Sequence, residues 1–513
     1  MRDAPDAIRA CAWRLFFTCW LVYALHFATN TVRELFPAMS LGDRLSFDIS
    51  EYEGLHPDIF RLEGRGVFIN NNPGGSMVGA LPYAACRPII DRIVTTVRER
   101  RAAGGAEPPK YDSPWPMARE FYRKSFELGL DVKFGLAAAA TQALGMAPLS
   151  AACVVAMFHA LRARIGSPRP ALWLAVLYAF ATPVFFRTGQ LNHNLVETHA
   201  AMLAFLLLWR PWDAPESPRR PAYLAAGLLT GFTVVCDYSG LVAVLVLSTY
   251  GLSRWLATPS ASRRTSDPAW FALGVCLSGA LLAGYQWACF GNPWLPAQHY
   301  MPAGNENAYR GYSGMDWPAL DLIGLTLASP RYGLFVTAPI LVLALWPAGW
   351  RAARGAVVGH REAWCIGAMT LLFVLFCAAN QFTRLQFNSG LRHVLPVAPF
   401  LFLIAAGTLR QMPRSVAIAI GIASVYWSWC LAQYREVELG RGVLDSVIVI
   451  STQGPRLPWL TTLGRMSGMF PPWVTNANLA TPLLLAAALL ILLIWRVGHR
   501  RAALGDNCFA WRS

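Results

Sequence analysis

The chain has 513 residues, of which 55% are hydrophobic and only 14% are charged, whereas about 25% of the residues in a soluble protein are charged. With a mean hydropathy of +0.37, this composition predicts an integral membrane protein and excludes an ordinary soluble enzyme. The formal net charge is +15, and nearly all of the positive charge is arginine. Because the arginines stand in short clusters between apolar stretches, as in the cytoplasmic loops of membrane proteins, we exclude a nucleic-acid partner.

Apolar stretches near the length that crosses a bilayer, about 20 residues, recur along the chain. They cover residues 12–30, 134–161, 171–187, 195–211, 269–290, 334–350, 362–383, 393–409, 415–433 and 478–495. A further apolar block at 221–253 is too long for one helix, and arginines flank both of its ends. It therefore predicts a hairpin of two short spans with Asp237 at the outer turn. The predicted fold class is an all-α polytopic membrane protein of about twelve transmembrane helices.

The arginine clusters determine the predicted topology. They lie within residues 2–14, 162–169, 210–220, 254–264, 351–361, 410–414 and 496–501. Their alternation with the apolar spans predicts one membrane domain over 1–513, with both termini in the cytoplasm and a cytoplasmic tail at 497–513. The longer outer loops are then 31–133, 291–333 and 434–477.

The first outer loop contains two further helical segments. Residues 77–94 predict an interfacial or re-entrant helix, because Pro82 and Pro88 make this apolar piece a poor membrane span. Residues 114–134 mix aromatic and charged side chains, which is typical of an amphipathic helix on the membrane surface. The N-terminus carries no signal-peptide cleavage pattern, so residues 12–29 predict a retained span.

Acidic groups are densest in the first outer loop, between residues 30 and 83. Charged groups beside an apolar bundle are costly unless they have a role, so this loop is the predicted functional site. For any single acid in the loop, the alternative is an ordinary solvated surface position. The acids and the histidine in question are Asp43, Asp48, Glu51, Glu53, His56, Asp58 and Glu63.

Polar groups recur where later spans meet the outer face. His193 would lie at this rim, with Glu197 and His199 about one turn deeper; hydrogen bonding at a helix end is the alternative role for His193. Arg331 and Arg392 follow further along the chain, and the planar guanidinium of arginine suits a phosphate. A carboxylate near a hydroxyl can act as a general base. Together these groups favour a reaction whose leaving group is a lipid phosphate.

The eleven cysteines form no C-x-x-C pair and do not join a histidine at metal-ligand spacing. They are interpreted as small core residues, and no metal site is predicted, although a divalent ion is not excluded.

The order of the motifs resembles the GT-C superfamily of membrane glycosyltransferases. The nearest members would be bacterial relatives of the aminoarabinose transferases and protein O-mannosyltransferases. The resemblance covers residues 12–410 in order. Its pieces are N-T-x-R at 30–33, SFDI at 46–49, DIFRLEGRGVFINNNPGGS at 58–76, the His193 rim, FGNP at 290–293, SPRYGLF at 329–335 and GLRHVLP at 390–396.

This resemblance implies a polyprenyl-phosphate sugar donor, an acceptor on the outer side of the bacterial inner membrane, and an Asp just after the first span as base. The chain departs from that pattern at three places. Asn30 and Thr31 stand where an Asp-Glu pair would precede Arg33, Asn72 stands where many relatives have Lys, and His193 stands where relatives often show an acid.

These departures determine the candidate residues. The predicted catalytic residues are, in order, Asp58, Asp48, Glu34 and His193. The predicted ligands of the donor phosphate are Arg392, His393 and Arg331. Further site candidates are Asn30, Arg33, His56 (which could share a proton with Asp58), Asn72 and Asp237.

The predicted function is inverting transfer of a sugar from a polyprenyl-phosphate donor to an envelope lipid or glycan, in contact with membrane lipids. Two alternatives stay open. A transporter or flippase of lipid-linked sugars would place its ionisable groups near the middle of the bilayer. A catalytically inactive scaffold would explain the missing Asp-Glu pair.

Overall fold

Helices dominate the structure, a computed structural model that describes residues 5–29, 32–104, 110–212, 220–260, 263–302, 310–385, 392–436, 440–467 and 469–497. Asn30 and the predicted tail beyond residue 497 lie outside the described residues. The first twelve helices are α1 (Pro5–Leu25), α2 (Leu35–Arg44), α3 (Gly74–Gly104), α4 (Pro116–Glu127), α5 (Asp131–Thr141), α6 (Ala147–Ile165), α7 (Pro168–Phe180), α8 (Pro183–Arg187), α9 (His193–Trp209), α10 (Arg220–Cys236), α11 (Gly240–Leu256) and α12 (Ser266–Phe290).

The second half of the chain is also helical, and strands are few. Its helices are α13 (Ala297–Tyr300), α14 (Leu320–Ala328), α15 (Leu334–Thr337), α16 (Pro347–Ala356), α17 (His360–Ala379), α18 (Ala398–Gln411), α19 (Arg414–Gln433), α20 (Val443–Gln453), α21 (Pro458–Gly464) and α22 (Asn476–Val497). Two antiparallel pairs of short strands are described, namely β1 (Ile59–Leu62) with β2 (Gly66–Ile69) and β3 (Lys110–Tyr111) with β4 (Met466–Ser467).

The lengths and apolar character of the helices confirm the predicted all-α, multi-pass membrane fold. Among the described residues, six helical segments are long and apolar enough to cross a bilayer, and four shorter apolar helices accompany them. The six are Asp6–Leu25, Asp131–Ile165, Ser266–Phe290, His360–Ala379, Arg414–Gln433 and Asn476–Arg496. The four are Arg220–Cys236, Gly240–Leu256, Leu395–Gln411 and Val443–Gln453. The predicted span at 171–187 is divided between α7 and α8, because Pro183 begins a new helix, whereas α9 alone covers most of the predicted span at 195–211.

The apolar block at 221–253 forms the predicted hairpin, with Asp237 in the turn between α10 and α11. The Asp237 carbonyl accepts the Gly240 N–H at 3.0 Å, and the Asp237 carboxylate accepts the Ser239 N–H at 3.0 Å. A side chain at Gly240 would lie 2.3 Å from the Thr233 backbone. The turn is this tight because Gly240 has no Cβ.

Small residues allow α10 and α12 to approach each other closely. A Cβ at Gly227 would lie 2.1 Å from the Phe271 carbonyl oxygen, and a Cβ at Gly274 would lie 2.5 Å from the Leu228 nitrogen. Close backbone approach at small residues is the usual way in which helices pack inside a bilayer, where the hydrophobic effect does not drive association. This contact fixes α10, and with it the Asp237 turn, against the rest of the bundle.

The predicted span at 334–350 is not one helix, which corrects the sequence analysis. It divides into α15, a 3₁₀ segment at Pro339–Leu345, and α16. Pro339 and Pro347 each begin a new piece. Proline has no N–H to donate to the preceding turn, so a continuous helix is interrupted at these two positions.

The predicted surface helices of the first loop also differ in extent. The segment expected at 77–94 is part of α3, which runs for 31 residues and keeps Pro82 and Pro88 inside it. The helix expected at 114–134 is divided between α4 and α5. Gly129 separates them with a φ of +65°, and the Leu130 N–H donates to the Ser125 carbonyl at 2.7 Å. This is the left-handed glycine stop that commonly ends a helix.

Two helices, α20 and α21, form where the sequence analysis placed the outer loop 434–477. Val443, Ser446 and Ile450 are the buried residues of α20, and their spacing follows one face of a helix. The apolar face of α20 is therefore covered by the bundle.

Candidate functional site

Glu34 and His193 form the centre of the site. Glu34 directly precedes α2, and α9 begins at His193. The Glu34 Oε1 atom accepts the His193 backbone N–H at 3.1 Å and makes a second, short hydrogen bond with the Nδ1 atom of the same residue. Their side chains are only 5% and 6% exposed. The imidazole is therefore held by a buried carboxylate on one side.

The other ring nitrogen of His193 faces Asp237. Its Nε2 atom lies 3.2 Å from the Asp237 Oδ2 atom, and the Asn194 side-chain amide donates to the same oxygen at 3.3 Å. The Asp237 side chain is 18% exposed, so it is the more open end of the arrangement. The Glu34 carboxylate, the His193 imidazole and the Asp237 carboxylate thus follow one another in a line of contacts. We call these three side chains the Glu34–His193–Asp237 row.

Two adjacent glycines bring the first loop onto the row. A Cβ at Gly75 would lie 2.9 Å from the His193 Cβ and 3.2 Å from the Glu34 Cγ, and a Cβ at Gly74 would lie 2.8 Å from the Cys236 Sγ. Real Cβ atoms essentially never come within 3.0 Å of a neighbouring atom, and a contact at 3.2 Å is tighter than most. The N-terminus of α3 can thus pack on both α9 and α10 only because these positions carry no side chain.

Asn72 anchors the same segment. Its side-chain amide donates to the Val234 carbonyl at 2.8 Å, near the end of α10. Asn72 thus occupies the place before Pro73 where a lysine was expected from the family pattern, and it binds backbone there.

The electrostatics of the row favour two ionised carboxylates. Burial opposes ionisation of Glu34, but the charge and hydrogen bond of His193, helped by Arg33, outweigh it and lower the Glu34 pKa to about 2. Burial likewise opposes ionisation of Asp237, and the hydrogen bond from His193 together with the nearby His393 holds its pKa well below the usual range. Asp237 is therefore a carboxylate at neutral pH, with lone pairs available.

Arg33 and Asp58 form a second carboxylate site beside the row. The Arg33 guanidinium lies 3.1 Å from the Asp58 carboxylate and donates to the Asn70 carbonyl at 2.9 Å. The Asp58 backbone N–H donates to the His56 Nδ1 atom at 3.0 Å, so His56 contacts the backbone of Asp58. Burial lowers the pKa of His56 to about 4, which leaves its ring neutral at pH 7.

Arg392 and His393 complete the group. The His393 Nδ1 atom lies 3.8 Å from the Asp237 Oδ2 atom. Arg392 is half-buried, and its guanidinium donates to the Phe382 carbonyl at 3.4 Å and to the Leu385 carbonyl. Burial lowers the Arg392 pKa to about 10, so it stays charged at neutral pH.

Ion pairs and close contacts bring together half of the twelve predicted residues. Six meet around the row and its neighbouring ion pair, namely Glu34, His193, Asp237, His393, Arg33 and Asp58. Asp48 is engaged elsewhere, where its carboxylate accepts hydrogen bonds from Ser50 and from the Val67 N–H. Arg331 is exposed and lies beside Gly442. Within the described residues, no group of three or more His, Cys, Asp or Glu is arranged to hold a metal ion.

Two buried arginines were not among the residues predicted from the sequence. Arg187 and Arg435 are only 3% and 6% exposed, and Arg435 donates to the Phe186 carbonyl at 2.5 Å and to the Gln190 side chain at 3.4 Å. Arg187 ends an apolar run, so it was counted with the span at 171–187. An arginine at the outer end of a span, away from the cytoplasmic clusters, is the signal that could have marked it.

Comparison with known proteins gives a likeness of fold. No protein-family model matches the chain, and no curated protein matches it. The solved structures include ArnT from Cupriavidus metallidurans in the apo state, which is 14% identical; the match covers 96% of this chain and 74% of ArnT, with a TM-score of 0.48. The structure of that protein bound to undecaprenyl phosphate matches with the same identity and TM-score over 95% of this chain and 76% of ArnT.

Proposed function

We propose that the chain is an inverting glycosyltransferase that moves a sugar from a polyprenyl-phosphate donor to an envelope lipid or glycan, on the outer face of the bacterial inner membrane. One observation carries the proposal. The Asp237 carboxylate is held ionised by His193 and lies beside His393, next in the chain to the charged Arg392. A base and a cation at one place are what transfer from a phosphate leaving group requires.

The proposed reaction is a single displacement. The acceptor hydroxyl gives its proton to the Asp237 carboxylate while its oxygen forms a bond to the anomeric carbon of the donor sugar. The bond from that carbon to the phosphate oxygen breaks, and its electron pair leaves with the polyprenyl phosphate. Arg392 stabilises the charge that develops on the phosphate. Attack opposite the leaving group inverts the anomeric configuration.

Asp237 supports this role better than the other carboxylates do. Glu34 is 5% exposed and occupied by His193, and Asp58 is paired with Arg33 at 3.1 Å. Asp237 is more open than Glu34, and it is oriented by Asn194 and His193. A low pKa makes it a weaker base, but it ensures that the proton acceptor is present at every physiological pH.

The test is a transfer assay together with identification of the lipid that copurifies with the protein. Undecaprenyl phosphate, the lipid seen with ArnT, is the first carrier to try. We expect the purified protein to retain a polyprenyl phosphate and to release it from a sugar-charged donor when an acceptor is supplied. Absence of both carrier binding and transfer with a panel of polyprenyl-phosphate sugars would refute the proposal.

One observation favours a transporter as the second candidate. Glu197 and His199 are completely or almost completely buried within α9, where Glu197 accepts from the Ser239 hydroxyl at 2.8 Å and His199 is 2.8 Å from the Ser150 hydroxyl. Ionisable groups inside a span often mark a transport path. Translocation of a lipid-linked sugar in proteoliposomes, without any transfer, would support this candidate over the enzyme.

A further inference from the structure

A narrow crevice is lined in part by His393, the histidine beside Asp237. It lies between α14, α17 and the segment that contains His393, and its interior has room for about one water-sized group. The crevice can therefore admit a single hydroxyl group, but not a whole sugar ring or a lipid chain. Its lining residues are Leu325, Thr326, Tyr332, Cys377, Thr383, Arg392, His393 and Val394.

Polar atoms without partners line this crevice. Both ring nitrogens of His393 are buried and have no hydrogen-bond partner in the described part of the chain, and the same is true of the Thr326 hydroxyl. Thr326 is only 5% exposed. Folded proteins rarely leave such groups unpaired, because burying them without a partner costs free energy. Two unpaired side chains on one crevice indicate a polar ligand.

The chemistry of these groups matches a hydroxyl better than an anion. Burial lowers the pKa of His393 to about 4, although the charge of Asp237 opposes the shift. At neutral pH the ring is uncharged, so one nitrogen donates and the other accepts, as the Thr326 hydroxyl also can. Sugar hydroxyls both donate and accept. A phosphate needs donors or a cation, and among the lining residues Arg392 supplies these.

The position of the crevice indicates that a sugar with a hydroxyl bound there would be the sugar that is transferred from the donor. His393 belongs to the lining of the crevice, and its Nδ1 atom is 3.8 Å from the Asp237 Oδ2 atom. A sugar in contact with His393 would thus lie next to the carboxylate that we assign as base.

We infer that this crevice recognises one hydroxyl group of the monosaccharide being transferred, with Thr326 and His393 as the residues that determine donor specificity. The inference rests on the proposed function and reassigns His393, which the sequence analysis placed on the phosphate. Arg392 keeps the phosphate.

The test compares a polyprenyl phosphate that carries the sugar with one that does not. Binding of sugar-charged polyprenyl phosphate and of bare undecaprenyl phosphate is measured for wild type, Thr326→Val and Thr326→Ser. Loss of one hydrogen bond should weaken binding of the sugar-bearing donor by up to about tenfold in Thr326→Val. Binding of the bare carrier should stay unchanged. Thr326→Ser, which keeps a hydroxyl, should retain most of the donor affinity.

A matched control and a second donor make the result specific. Thr370 on α17 donates to the Ile366 carbonyl of its own helix at 2.9 Å, so Thr370→Val removes a similar hydroxyl outside the crevice and should leave both affinities unchanged. Among donors whose sugar lacks one hydroxyl in turn, one should bind wild type and Thr326→Val equally, because the recognised group is already missing.

The outcomes separate failure of this inference from failure of the proposed function. If wild type binds and transfers the sugar but Thr326→Val leaves both affinities unchanged, the crevice holds only water and the inference is wrong. Equal weakening of the charged donor and the bare carrier would also overturn it, since that result indicates a phosphate site or a general packing defect. If wild type binds no polyprenyl phosphate and transfers no sugar, both proposals fail.

Discussion

Glu34 and His193 are 159 residues apart in the chain, yet one carboxylate oxygen of Glu34 accepts hydrogen bonds from both the backbone and the side chain of His193. This double contact fixes the position of the histidine ring and directs its second nitrogen to Asp237. The buried His193 ring, held by Glu34, therefore orients the more exposed carboxylate, which is that of Asp237. The relationship accounts for the choice of Asp237 as base in the predictions that follow.

Replacing Asp237 should remove the base with little effect on donor binding. We expect Asp237→Asn to lower turnover by about 10²–10⁴-fold, the usual effect of losing a general base. Steady-state transfer and donor affinity, measured on the same preparations, check this. Asp58→Asn is the decisive comparison, because Asp58 is the first choice from the sequence; a larger loss there than at Asp237 would move the base to Asp58. Asp48→Asn is the control and should have the smallest effect on turnover, since Asp48 binds Ser50 and Val67.

Arg392 should contribute through its planar guanidinium as well as its charge. Arg392→Lys keeps the charge but loses the paired donors, so we expect weaker binding of the polyprenyl-phosphate donor. Arg392→Gln removes the charge and should weaken it further. Donor affinity measured over a range of salt concentrations checks the assignment. Unchanged affinity and turnover in both variants would show that Arg392 acts only as a helix-end arginine whose charged group reaches the membrane surface.

The site should require glycine at position 75, because any side chain there would collide with the row. The Cβ of Gly75→Ala would lie 2.9 Å from the His193 Cβ and 3.2 Å from the Glu34 Cγ, so α3 or α9 must shift. Overpacking of this kind typically costs about 1–3 kcal/mol, and turnover should fall because the row is displaced. Thermal unfolding in detergent and transfer rates check both effects.

The control for this variant is Gly279→Ala on α12, where a Cβ would meet nothing within 4 Å. Alanine is favoured over glycine inside a helix by about 0.5–1 kcal/mol. We therefore expect the control to be as stable as wild type or slightly more stable. If Gly75→Ala behaves like Gly279→Ala, the close packing of α3 on the row is not required.

We expect the first loop, and with it the proposed site, to face the outer side of the membrane. A single cysteine introduced at position 107, in a variant without native cysteines, should react with an impermeant reagent in intact cells, because the arginine clusters predict an outer loop there. A cysteine at position 355, between arginines of a predicted cytoplasmic cluster, should react only after permeabilisation. The reverse pattern would place the first loop, and with it the proposed site, in the cytoplasm.

Local features of the sequence determined much of the fold. The block at 221–253 had to form a hairpin because arginines flank both ends, and the structure has α10 and α11 there with Asp237 in the turn. Apolar length and charge are properties of neighbouring residues, so they are readable without a structure. The same local rules failed at 334–350, where the apolar composition was right for a span but Pro339 and Pro347 divide it.

The Glu34–His193–Asp237 row was decided only by tertiary structure. The sequence nominated all three residues but ranked Asp58 and Asp48 above them, because density of charge along the chain was the available guide. Which carboxylate faces the histidine depends on helix packing, on the absence of side chains at Gly74 and Gly75, and on the close contact of α10 with α12. Those contacts join parts of the chain far apart in sequence, and the row forms where they meet.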